Sequence, residues 1–79
     1  MSAKAYVLIE TKAGRTAEVV RSLRHMPGVA EADAVTGPHD VIAVLTGGDP
    51  NDLAKLVLNE IAGIEGVTGT LTCLAVPLD

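Results

Sequence analysis

Two stretches of the chain, Tyr6-Val7-Leu8-Ile9 and Val41-Ile42-Ala43-Val44-Leu45, carry no charged or strongly polar residue at any position. An extended strand sends successive side chains to opposite faces, so a strand of this kind has to be covered on both sides. A chain with two of them needs a sheet that holds both in its interior. With 79 residues and 48% hydrophobic content there is material for one core and no more, so residues 1–79 read as a single domain. A domain this small buries only about 60% of its unfolded surface and gains from covering a face with another subunit.

The remaining segments supply the rest of that sheet and one layer over it. From Thr16 the pattern turns helical, with Val19, Val20 and Leu23 on one stripe and Glu18, Arg21 and Arg24 on the other, until Pro27-Gly28 stops it. Val29 to Thr36 alternates small apolar residues with Glu31 and Asp33, as an edge strand does. Asp49-Pro50-Asn51-Asp52 is a helix start with a side-chain cap, and Leu53, Leu56, Val57, Ile61 and Ile64 continue at helical spacing. After Gly66, Val67 to Val76 alternates as a fourth strand closed by Pro77. Cys73, the single cysteine, falls in that alternation and reads as a small buried hydrophobe.

The order is βαββαβ, an α+β ferredoxin-like arrangement, with a four-stranded antiparallel sheet of order 4-1-3-2 and both helices on one face. The two all-apolar strands are the central ones in that topology. Two helices cover only one face, so either Tyr6 and Leu8 or Val7 and Ile9 point to the other, together with Ile42 and Val44 or Val41, Ala43 and Leu45. Tyr6, Leu8, Ile42 and Val44 are the candidates for a dimer interface, because a contiguous apolar sheet face is large for a monomer to leave in water.

A net charge of −4, with six Lys and Arg scattered along the chain, disfavours direct nucleic-acid binding. No apolar run approaches the roughly 20 residues of a membrane span, and the start Met1-Ser2-Ala3-Lys4 lacks a signal-peptide run, so a cytoplasmic protein without membrane contact is expected. His25 and His39 have no partner at a metal-binding spacing, no nucleophile–base set is recognisable, and neither metal nor cofactor is expected.

Three segments carry a family resemblance over nearly the whole chain: Met26-Pro27-Gly28-Val29, Thr36-Gly37-Pro38-His39-Asp40, and Gly66-Val67-Thr68-Gly69-Thr70-Leu71-Thr72. In this order and spacing they resemble the ligand-binding domain of Lrp/AsnC transcription regulators, also called the RAM domain. The resemblance implies a homodimer packed sheet against sheet, a higher ring such as an octamer or decamer, and a small effector, an amino acid in that family's manner, bound between dimers near the hairpin turn. It resembles a stand-alone form without the helix-turn-helix, able to pair with a full-length regulator.

The residues give that site a chemical basis. Gly37 allows close backbone approach, the turn of Gly37, Pro38, His39 and Asp40 offers amides to a carboxylate although Pro38 removes one donor, and Asp40 can accept from an ammonium group. Thr70 and Thr72 share one strand face with Thr68 and offer hydroxyls. Turns and strand threonines also occur for purely structural reasons. Two other classes compete: an ACT-type amino-acid domain of the same element order, and a small dimeric α/β-barrel enzyme such as a cofactor-independent monooxygenase or isomerase. The enzyme reading meets a chain with one Tyr, no Phe and no Trp to line a cleft. A structural assembly domain with no ligand is the third.

Overall fold

The computed structural model of the chain describes residues 2–78. Its elements are β1 (Ala3–Thr11), α1 (Thr16–Arg24), β2 (Val29–Ala34), β3 (Val41–Gly47), α2 (Pro50–Leu56) continued by a π-helical turn over Val57–Ile61, and β4 (Val67–Leu74). The sheet order is β2-β3-β1-β4, antiparallel throughout, which is the predicted topology read from the other edge.

The alternation in β1 and β3 is resolved by register. Ala5, Val7 and Ile9 lie opposite Leu45, Ala43 and Val41, and all six are fully buried. They form one core with Ala32 of β2, Val19, Val20 and Leu23 of α1, Leu53 of α2, and Val57 and Ile61 of the π turn. Both helices therefore lie on one face. The opposite face carries Tyr6 and Leu8 against Val44 and Ile42.

Two glycines make the helix-to-strand crossings possible. Gly28 and Gly66 take φ of +93° and +102°, and a Cβ would come within 2.9 Å of Leu56 Cδ2 at the first and of Arg15 Cβ at the second. Each Gly-Val pair thus needs both a left-handed backbone and a close approach of a neighbouring element.

Four boundaries or placements differ from the sequence reading. β2 ends at Ala34 rather than Thr36, because Val35 N–H leaves the ladder and donates to Asp40 O at 2.9 Å. The second helix is not one continuous α-helix: Ala62 N–H donates to Val57 O at 2.8 Å, five residues back, and that widened turn keeps both Val57 and Ile61 buried. β4 ends at Leu74 rather than Val76, with Ala75 N–H adding one bond to Lys4 O. Cys73 is exposed, not buried, since β4 is an edge strand and Cys73 pairs with Tyr6 on the face without helices.

Candidate functional site

The predicted turn is held by one residue. Asp40 donates its N–H to Ile9 O at 3.0 Å, accepts from Val35 N–H at its own carbonyl, and accepts Thr11 N–H at Oδ2 at 2.8 Å. The bonds to Ile9 and Thr11 fasten the β2–β3 connection to the end of β1, and the one from Val35 closes the connection on itself. There β1 also shifts register against β4, with Glu10 opposite Gly69 and Thr11 opposite Val67. A bulge of this kind re-aims neighbouring side chains. Gly37 and Pro38 are exposed on the outer part of the turn, with nothing within 4 Å of where a Gly37 side chain would begin, while His39 and Asp40 are half-buried.

The structure brings part of the predicted set together. Glu10, His39, Gly69, Thr70 and Leu71 line one hollow of about 160 Å³. Thr72 does not line it. By register Thr70 and Thr72 lie opposite Ile9 and Val7 and so share the helix side of the sheet, although β4 extends beyond the helices and both are exposed. Glu10, Gly69 and Leu71 belong to the other side. The hollow is therefore at the rim of the helix-free face. Sequence reasoning did not single out Glu10, Gly69 or Leu71 as lining residues; Gly69 and Leu71 fall within the last family segment, and the signal for Glu10 was a carboxylate closing an otherwise apolar strand.

The candidate interface residues are all on the helix-free face. Tyr6 is 40% exposed, and Leu8, Ile42 and Val44 are half-buried without any element of this chain packed over them. Leu71 extends the patch at 53% exposed, and Glu31 and Asp33 flank it opposite Val44 and Ile42. Lys4 Nζ lies 5.2 Å from the Tyr6 ring centroid.

Other polar groups are engaged elsewhere. His25 Nδ1 is 2.8 Å from Arg21 O at the end of α1, and Arg24 reaches Ala32 O and Asp33 Oδ1 across the β2 edge. Two larger depressions, about 370 Å³ beside Gly28, Gly47 and Leu56 and about 550 Å³ beside Arg21 and Arg24, contain none of the predicted site residues. Among the described residues no group of three or more His, Cys, Asp or Glu is placed to hold a metal ion, and no helix is long and apolar enough to cross a membrane.

This arrangement, a ferredoxin-like sheet with one face unpaired and a polar hollow at the turn, defines a small binding or assembly domain. Residues 4–76 match the Lrp/AsnC ligand binding domain, and the chain belongs to that family. Among curated relatives it is 33% identical over 70 residues to the HTH-type transcriptional regulator FL11 of Pyrococcus furiosus, covering 89% of this chain and 46% of that protein. It is also 37% identical over 59 residues to homocitrate synthase of Sulfurisphaera tokodaii, covering 75% of this chain and 13% of the enzyme. The chain thus spans less than half the length of these relatives. Among solved structures, TTHA0845 from Thermus thermophilus superposes with a TM-score of 0.91 at 34% identity, covering 98% of this chain and 96% of the other. The Neisseria meningitidis transcriptional regulator NMB0573 in complex with L-Met shares the fold, with a TM-score of 0.84 at 22% identity over 96% of this chain and 51% of the other.

Proposed function

We propose that this chain is a cytoplasmic, non-enzymatic sensing module that assembles with copies of itself and binds a small amino-acid effector at a contact between copies. The helix-free face is its dimer surface, built on Tyr6, Leu8, Ile42 and Val44, and dimers associate further into a ring. The effector lies between the Gly37–Asp40 turn corner of one copy and the Thr70/Thr72 face of a neighbour. Two copies are invoked because the hollow at the turn and the Thr72 side chain are on opposite sides of β4 within one chain. The observation that carries the reading is the family match over residues 4–76, with its ligand-binding description; the methionine bound by the Neisseria relative supports an amino acid as the class. The acidic chain acts through a partner rather than by binding DNA itself. That partner is a full-length regulator of the family; the match to a segment of homocitrate synthase supports an enzyme as a second reading, and the two are separated by which protein changes the sedimentation of this chain.

Thermal unfolding in the presence of each of the twenty amino acids tests the reading, because a ligand that binds only the folded state raises the midpoint. At least one amino acid is expected to do so, and Thr70→Val is expected to weaken its binding in calorimetry by about 2- to 10-fold, the loss of one neutral hydrogen bond. Asp40→Ala is the poorer variant, since it also leaves Thr11 N–H without its acceptor. No shift with any amino acid sinks the proposal.

A further inference from the structure

We infer that Glu10 supplies the carboxylate that receives the ammonium group of the ligand in the turn hollow, with Asp40 holding the turn in place. The inference rests on the sensing reading above and adds a residue to it. Asp40 has one oxygen taken by Thr11 N–H at 2.8 Å and its backbone tied to Ile9 and Val35, so its orientation is fixed by the fold. Asp40 does not line the hollow, and Glu10 is the one carboxylate among the residues that do. It is exposed, and among the described residues no side-chain hydrogen bond or ion pair engages it.

Its position is specific. Glu10 lies opposite Gly69, and a Cβ on Gly69 would stand 3.2 Å from Glu10 Oε1, so the carboxylate folds over the one residue of that strand that leaves it room. Glu10 and His39 line the same hollow, next to the register shift that follows Glu10. The hollow, about 160 Å³, exceeds what a single water needs and has room for the polar head of a small ligand. Glu10 accepts hydrogen bonds from the ammonium group, the His39 imidazole offers a further hydrogen-bonding group, and Leu71 gives an apolar wall continuous with the helix-free face. A second copy covering that face closes the hollow from above.

The test follows backbone amide shifts of Gly69, Thr70 and Leu71 while ethylammonium chloride, sodium acetate or sodium chloride is added to the parent, Glu10→Gln and Gly69→Ala proteins. Ethylammonium is expected to move these amides saturably in the parent. Its affinity should fall by about 10-fold or more in Glu10→Gln, the size of a lost charge-assisted hydrogen bond, and by less in Gly69→Ala, where the carboxylate is displaced but kept. Acetate and sodium chloride should produce no saturable change at these amides. The assignment is overturned if ethylammonium leaves them unmoved in the parent, or acts equally on Glu10→Gln. The twenty-amino-acid panel, repeated on Glu10→Gln, separates this from failure of the sensing reading. An amino acid that stabilises both proteins equally removes Glu10 and leaves the module a sensor; silence of the panel on the parent removes the sensor reading itself.

Discussion

The two faces of the sheet are built from the same strands and nearly the same residue types, yet they end in different environments. On the helix side Ala5, Val7, Ile9, Val41, Ala43 and Leu45 are all at 0% exposure. On the other side Tyr6, Leu8, Ile42 and Val44 alternate with them one residue out of phase and stay partly in water. Local sequence does not separate the sets; α1 and α2 do, by covering one and leaving the other. Fully burying a Leu, Ile or Val side chain contributes about 1.5–3 kcal/mol, so four half-covered side chains represent several kcal/mol that folding of one chain does not collect. That remainder is available to association, which is why the open face is assigned to a second copy.

Substitutions at neighbouring positions sharpen the contrast. Ile9→Ala removes a fully buried side chain beneath the helices and is expected to lower unfolding free energy by about 2–5 kcal/mol in urea titration, by the same amount at every protein concentration. Leu8→Ala, one residue away on the open face, is expected to cost about 1 kcal/mol at high dilution, because its side chain is only half-buried in the single chain. Its cost should then grow as concentration rises, since the parent gains stability from association and the variant gains less. Equal, concentration-independent losses at both positions would mean that the faces do not differ in this way.

Much of the fold was legible because it depends on signals within a few residues. Asp49 caps α2 as its spacing with Pro50 and Asp52 implies, with Asp49 Oδ1 accepting Asp52 N–H at 3.1 Å. The all-apolar runs took the central sheet positions, and the Gly-Val pairs opened β2 and β4. What was not legible depends on partners far away in sequence. Cys73 continues an apolar alternation, and only the edge position of β4 exposes it. The π turn has no periodicity of its own to read. In the site, the turn and the β4 threonines were found by motif, but the motif does not reveal that Asp40 is bonded to Thr11, 29 residues away, or that Thr70 and Thr72 share the side of Ile9 and Val7. Glu10 looks like the solvated end of a strand until Gly69 and His39 are brought beside it by the sheet.

The assignment of the open face is tested most directly by sedimentation velocity on the parent and on Val44→Asp. Val44 lies at the middle of that face, opposite Tyr6 on one side and Glu31 on the other, so the new carboxylate disturbs the core little and the face strongly. A buried, unpaired carboxylate should weaken association by several kcal/mol. The parent is expected to sediment as a dimer or larger ring of 8.1 kDa chains, and Val44→Asp as a folded monomer. Identical sedimentation of the two proteins, whether both assembled or both monomeric, would contradict the assignment.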